Sequence, residues 1–78
     1  MATLRLFAAA REAAGTGRDD VDGATVGDVL DAAPRRFGVP FVEVLGTSRV
    51  WLNGEPATRE QSVRQGDEVA VLPPVSGG

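Results

Sequence analysis

Apolar and polar residues alternate near both ends of the chain, and this alternation is the pattern of half-buried β-strands. The first alternating run, residues 3–8, predicts a strand with Leu4 and Leu6 turned inward and Phe7 outward. The second run, residues 68–72, predicts the last strand. The pattern therefore leaves a large aromatic side chain, Phe7, on the outward side of a strand.

One amphipathic helix is predicted between these two strands. Thr25 is a favourable N-cap residue, and Asp28 three residues later forms a near-capping box with it. Apolar residues then recur at helical spacing and predict one buried stripe, formed by Val26, Val29, Leu30, Ala33 and Phe37. Pro34 conflicts with this pattern, because an interior proline costs about 3 kcal/mol. We expect a kink at Pro34 or a helix that ends near Ala33.

Three weaker elements are predicted around this helix. Residues 11–14 are typical of a single helical turn, and the glycines after them indicate a turn of the chain. Residues 18–21 predict a short, acidic second strand. Residues 40–45 are ambiguous, but a proline at the first position and apolar residues on one helical face favour a short helix over a strand.

A hairpin is predicted in the second half of the chain. Residues 48–52 read as a strand, and Asn53-Gly54 after it is the strongest short hairpin signal, because both residues tolerate positive φ. Residues 55–57 form the return strand, which its proline confines to a sheet edge. Residues 58–61 have the spacing of a capping box and predict the start of a helical turn.

The order of these elements is that of an α+β, ubiquitin-like β-grasp fold, with a mixed sheet of about five strands and one main helix packed on one face. In this arrangement the first and last strands lie side by side and parallel at the centre. We expect residues 1–72 to form this domain and residues 73–78 to form an extended C-terminal tail.

Strand alternation assigns three large apolar side chains, Phe7, Trp51 and Leu72, to the sheet face that the helix leaves open. A contiguous apolar set on an exposed face is typical of a partner interface. Two alternatives stay open: a loop folds over these residues, or the register differs by one position and turns them inward.

Composition excludes several classes of function. The net charge is −3 and all eight cations are arginines, which argues against a nucleic-acid partner, although a GC-rich genome would also favour arginine. Without His, Cys or Lys the chain lacks the commonest general bases and nucleophiles, and a P-loop is impossible. We expect no catalysis by the chain alone, no resident cofactor and no metal site. The absence of a long apolar run and of a signal-peptide pattern predicts a cytoplasmic protein without a membrane partner.

The tail is formed by Pro73, Pro74, Val75, Ser76, Gly77 and Gly78. The two prolines end sheet pairing and favour a stiff, extended spacer. The glycines after them are the least bulky way to end a chain, so we expect the tail to hold out a terminal carboxylate. Four extended residues reach about 13 Å, which is enough to enter a neighbouring subunit.

The whole chain resembles the small, sulfur-carrying subunits of molybdopterin synthase, within the MoaD/ThiS-like β-grasp family. The matching features are Phe7-Ala8 followed by Arg11-Glu12 and Gly15, the Asn53-Gly54 hairpin, residues 66–69, and above all the Pro-Pro-Val-Ser-Gly-Gly ending. Pro34 and the polar, kinked strand at Glu55-Pro56 depart from the family pattern, and both lie in the framework.

This resemblance implies a specific function. An ATP-dependent activating enzyme adenylates the Gly78 carboxylate, and a sulfur donor protein supplies sulfur for a thiocarboxylate. Residues 73–77 then thread the pocket of a large catalytic subunit, where the sulfur passes to cyclic pyranopterin monophosphate during molybdenum cofactor synthesis. The chain is in this case a non-catalytic subunit of a transferase, with Gly78 as its reacting residue.

Three alternatives remain at this point. The first is a sulfur carrier for thiamin, cysteine or thiolated tRNA, although such carriers more often have Pro-Ala-Val before their last residues. The second is a ubiquitin-like modifier whose Gly78 forms isopeptide bonds with lysines. The third is a β-grasp module that binds RNA or a regulator and needs no free terminus.

Overall fold

The computed structural model describes residues 1–74. Five strands and three helices follow one another along these residues. Their bounds are β1 (Ala2–Leu6), α1 (Ala8–Ala14), β2 (Arg18–Val21), α2 (Val26–Phe37), α3 (Val39–Thr47), β3 (Arg49–Leu52), β4 (Glu55–Pro56) and β5 (Glu68–Leu72).

All five strands form one mixed sheet in the order β2-β1-β5-β3-β4. β1 and β5 are parallel neighbours at its centre, with Leu4 opposite Val69 and Leu6 opposite Val71. The other three pairings are antiparallel, so the short strands β2 and β4 form the edges. The β-grasp arrangement and the edge position of Pro56 are therefore confirmed.

The hydrophobic core lies between one face of this sheet and α2. Leu4, Val69 and Val71 are fully buried from the sheet side, and Val29 and Ala33 are fully buried from α2. All five belong to a single cluster of packed apolar side chains. The predicted helical stripe is confirmed, although Phe37 at its end is only partly buried.

The first turn of α2 is held from two directions. The Thr25 hydroxyl accepts from the Asp28 N–H at 3.1 Å, and the Asp28 carboxylate accepts from the Thr25 N–H at 3.2 Å, which completes a capping box. In addition, the N–H groups of Val26 and Gly27 donate to the carbonyls of residues 61 and 59, both at 2.9 Å. Four N–H groups at a helix start, counted from the N-cap residue, have no partner within the helix, and these contacts satisfy all four.

The helical turn predicted at residues 58–61 is wrong. The segment is a turn in which the Thr58 N–H donates to the Gln61 side chain at 2.7 Å, as in a capping box, but no helix follows. The carbonyls of Arg59 and Gln61 accept from the start of α2 instead. A helix in this segment would compete with those two bonds.

Of the two alternatives expected at Pro34, a helix that ends near Ala33 is wrong, because α2 continues through Pro34 to Phe37, and a kink at Pro34 stays a prediction. Pro34 lacks only the N–H that would donate to residue 30, and its own carbonyl accepts from the Gly38 N–H at 2.9 Å. The last turn is anchored by packing, since the Phe37 ring lies 5.1 Å from the ring of Phe41. Phe41 is fully buried and belongs to α3, which confirms the short helix predicted around residues 40–45.

The start of the chain differs from the prediction in one respect. β1 ends at Leu6, and Phe7 is the N-cap of α1, a two-turn helix that begins at Ala8 and not at residue 11. Ala8 has a φ of +50°, which bends the chain sharply out of the strand. The alanine-rich sequence favours this longer helix, and Ala10, on the inner side of α1, is fully buried.

Candidate functional site

The candidate site begins where β5 leaves the sheet. β5 lies at the centre, between β1 and β3, and its last residue, Leu72, pairs with Arg49. Pro73 and Pro74 follow outside any strand or helix, the first partly buried and the second exposed. The tail residues Val75, Ser76, Gly77 and Gly78 lie outside the described residues.

Phe7, Trp51 and Leu72 come together on the open face of the sheet. They line one hollow of about 230 Å³, together with Gly54, Glu68 and Ala70. The register explains the depth of the hollow, because Trp51 pairs with Ala70, whose short side chain forms a low floor between larger neighbours. The two alternatives, a covering loop or a shifted register, do not apply to these three residues.

Phe7 reaches the hollow for a reason that strand alternation did not supply. It follows β1 and is held by its backbone, because its N–H donates to the Val71 carbonyl at 3.3 Å and its carbonyl accepts from the Ala10 N–H at 3.0 Å. The ring remains 38% exposed. The Arg5 guanidinium lies 5.6 Å from the ring centroid, within reach of a cation–π contact. The aromatic ring is thus fixed in place while its outer side stays free.

A polar network at the opposite end of β5 holds the hairpin in register. The Asn53 side chain donates to the Asp67 carboxylate at 3.1 Å and accepts from the Glu68 N–H at 2.9 Å. The second oxygen of Asp67 accepts from the Arg64 N–H at 2.8 Å. These hydrogen bonds, first that from the Arg64 backbone and then that from Asn53, lower the pKa of Asp67.

Sequence reasoning missed this network as a unit. Asn53-Gly54 and Gly66-Asp67 each carry a turn signal, but only the pairing of β3 with β5 brings the two turns together. An aspartate directly after a turn glycine, with an asparagine in the preceding hairpin, is the signal that was available. The network fixes β3 against β5, so it also sets the position of Trp51 over the hollow.

Neither a metal centre nor a membrane segment emerges from the described part of the chain. Residues 1–74 contain no group of three His, Cys, Asp or Glu side chains placed to hold a metal ion. Within the same range, no helix is long and apolar enough to cross a membrane.

Comparison with known proteins places the fold in a family context. The small archaeal modifier protein 1 of Haloferax volcanii is 44% identical, over 95% of this chain and 97% of that protein. The crystal structure of SAMP1 from Haloferax volcanii superposes on this structure with a TM-score of 0.83. The two chains are 41% identical, and the superposition covers 99% of this chain and 98% of the SAMP1 chain. The molybdopterin synthase sulfur carrier subunit of Drosophila erecta is 35% identical, over 92% of this chain and 84% of that protein.

The model of the ThiS family matches residues 4–78, which is nearly the whole chain and includes the tail. Together with these relatives, the match shows that the chain belongs to the ThiS family, a β-grasp family of sulfur carriers and ubiquitin-like modifiers.

Proposed function

We propose that the chain is the sulfur carrier subunit of a molybdopterin synthase, with the Gly78 carboxylate as its reacting group. Residues 1–72 act as the β-grasp body, and residues 73–78 act as the tail that enters partner proteins. The carboxylate is adenylated in trans, converted to a thiocarboxylate, and then donates its sulfur to cyclic pyranopterin monophosphate.

The observation that carries this proposal is the position of the hollow beside the exit of β5. The strand that leads into the tail ends at Leu72, and Leu72 itself lines the hollow with Phe7 and Trp51. A protein that covers this hollow would bury three apolar side chains and receive the tail at the same time. Two features agree with it: the family match extends to residue 78, and one relative carries the name of this subunit.

The chemistry requires help from other proteins. A terminal carboxylate has a pKa of about 3.5, so at neutral pH it is an anion and a poor acyl donor. Its oxygen attacks the α-phosphorus of ATP and releases pyrophosphate. Hydrosulfide then displaces AMP to leave the thiocarboxylate, or a protein persulfide displaces AMP and a second thiol reduces the resulting acyl disulfide to the thiocarboxylate. The chain contains no His, Cys or Lys to promote these steps, so an activating enzyme and a sulfur donor protein perform them.

The same hollow serves more than one partner in this scheme. The activating enzyme binds the carrier first, and the large catalytic subunit of the synthase receives the loaded tail afterwards. A narrow, water-excluding pocket in each partner protects the activated carboxyl from hydrolysis. The proposal places the chain in the cytoplasm with these partners.

A second candidate function is protein modification. The 44% identity to a protein named small archaeal modifier protein 1 favours it. In this case the activated Gly78 forms an isopeptide bond with a lysine of a target protein. Both candidates need the same activation of Gly78, and they differ in the group that attacks the carboxyl.

Mass spectrometry of the protein purified from its own host separates the two candidates. A carrier gives an intact chain that is heavier by the mass difference between sulfur and oxygen, whereas a modifier gives target peptides with Gly78 linked to lysine. A variant with one alanine added after Gly78 is the matched control, because it keeps residues 1–78 and hides the glycine carboxylate. We expect the extended variant to fold normally and to show neither product. Adenylation of the extended variant would contradict the role of Gly78.

A further inference from the structure

A second concave surface lies next to the apolar hollow and contains three arginines. It has a volume of about 390 Å³ and is lined by Arg5, Leu6, Phe7, Arg11, Thr16, Gly17 and Arg18. We call it the arginine cleft. Phe7 lines both the cleft and the hollow, so the two surfaces are continuous around this ring.

Two of these arginines face each other at an energetic cost. Arg5 of β1 and Arg18 of β2 are direct partners across the antiparallel pair, on the open face of the sheet. Like charges placed directly opposite one another destabilise a sheet. Folding alone does not favour this pairing, and a ligand that neutralises both guanidinium groups would remove the repulsion.

The third arginine is positioned from α1. Its side chain lies beside Gly17, where a Cβ on that glycine would be in van der Waals contact with the Arg11 Nε at 3.4 Å. Gly17 in turn is joined to β1, because its carbonyl accepts from the Leu6 N–H at 2.9 Å. Arg11 therefore lies beside Gly17 and lines the same cleft as the two strand arginines.

The cleft is locally cationic in a chain with a net charge of −3. Within the described range, residues 1–74, no acidic residue lines it. Among residues 1–74, neither Arg11 nor Arg18 has a carboxylate oxygen within 4.0 Å. Arg5 approaches Glu68 at 3.7 Å, but both side chains are more than 40% exposed, and such pairs contribute little.

We propose that the arginine cleft binds a carboxylate-rich segment of the activating enzyme, which rests on the proposed function of the chain. Guanidinium groups pair with carboxylates through two parallel hydrogen bonds, and this geometry suits three arginines that surround one cleft. The partner segment carries apolar side chains for the hollow and acidic side chains for the cleft. It therefore contacts both sides of Phe7.

Charge and position favour an acidic protein over a nucleic acid as the occupant. A chain with a net charge of −3 repels a polyanion over most of its surface. The continuity of the cleft with an apolar hollow requires an occupant with both acidic and apolar groups. A folded protein surface has both.

The first test uses the full chain and defined probes. NMR signals of the arginine Nε–H groups are followed while hexaglutamate or sodium phosphate is added. We expect hexaglutamate to move the signals of Arg5, Arg11 and Arg18 and to leave those of Arg35 and Arg64 in place. Equal movement of all five signals would overturn the proposal, and so would a response to phosphate at lower concentration than to the peptide.

The second test measures binding to the activating enzyme of the same host at several salt concentrations. We expect the Arg11→Gln/Arg18→Gln variant to bind roughly tenfold more weakly at low salt and to lose most of the salt dependence. The matched control, Arg35→Gln/Arg64→Gln, makes the same change in net charge outside the cleft and should bind as the wild type does. Equal weakening of both variants would contradict a specific cleft.

A third readout separates binding from folding and from the proposed function. Arg18→Gln removes the repulsion with Arg5, so its melting temperature should rise while its affinity for the enzyme falls. A fall in both would indicate a structural role only.

At saturating activating enzyme, the Arg18→Gln variant should still acquire sulfur at Gly78. If the wild type acquires none, the proposed function fails, while the peptide titration still decides whether the cleft binds carboxylates.

Discussion

The two faces of the sheet come from alternating residues of the same strands, yet they are used in opposite ways. Leu6 and Val71, on the covered face, are at most 2% exposed. Their chain neighbours Phe7 and Leu72 remain partly accessible and line the hollow with Trp51. The covered face thus stabilises the fold through its packing, whereas the open face leaves apolar surface accessible to a partner. The difference shows that large apolar residues in a small domain serve two purposes according to the face they occupy.

Leu6→Ala removes a buried side chain from the covered face and should have the largest effect on stability. Truncating a fully buried leucine costs about 2–5 kcal/mol of unfolding free energy, because the core closes only partly around the cavity. Urea denaturation followed by circular dichroism measures the loss. Val39→Ala, at a residue that is 69% exposed, is the control and should change stability by less than about 0.5 kcal/mol. A loss below that of the control would contradict the assignment of Leu6 to the core.

Leu72→Ala and Phe7→Ala each remove an apolar side chain from the hollow on the open face, and they should weaken partner binding more than they weaken folding. Each should weaken the affinity for the activating enzyme by about 1–3 kcal/mol if these side chains are interface anchors. Calorimetric titration measures the affinity, with Val42→Ala on α3 as a control for an exposed apolar residue away from the hollow. Unchanged affinity in both open-face variants would reject the hollow as the interface.

Asp67→Asn tests whether the polar network supports the open face, and its effect should be the smallest. Hydrogen bonds lower the pKa of Asp67 in the folded protein, so its ionised form stabilises the fold above the unfolded pKa. This contribution is lost as the pH falls from about 4, the ordinary pKa of an unfolded-state aspartate, through the lowered pKa of Asp67 in the folded protein. The variant replaces one accepting oxygen by an amide, so it should be less stable than the wild type at pH 7 and less sensitive to acid.

Thermal denaturation between pH 2 and about pH 7 measures this difference, across the ordinary aspartate range. Asp22→Asn, at an exposed aspartate in the loop after β2, is the control and should keep the wild-type acid sensitivity. Identical pH profiles for Asp67→Asn and the wild type would show that the network does not contribute through the Asp67 charge.

Local patterns predicted those parts of the fold whose signals lie within a few neighbouring residues. The Thr25 and Asp28 capping box, the Asn53-Gly54 hairpin and the alternation of residues 68–72 are all present as predicted. Each depends on backbone conformation or on side-chain direction, and both are properties of short segments. The same alternation placed Trp51 and Leu72 on the open face, whereas Phe7 reaches the hollow from the N-cap of α1.

The wrong predictions concern segments whose local preference was overridden from elsewhere. The capping-box spacing of residues 58–61 did not produce a helix, because its carbonyls bind the start of α2. Pro34 did not end α2, because the packing of Phe37 on Phe41 extends the helix by another turn. The partners in both cases are distant or belong to a different element, so a local pattern could not reveal them.

The sequence by itself determined most of the element types and the β-grasp order, because periodicity, turn residues and prolines act locally. Tertiary structure alone decided that Asp67 meets Asn53 and that Arg5 faces Arg18 beside Arg11. These contacts join residues that belong to different elements of the chain, and they depend on strand register. Register is set by the packed core as a whole, which is why the arrangement of charges around the hollow emerged only from the folded protein.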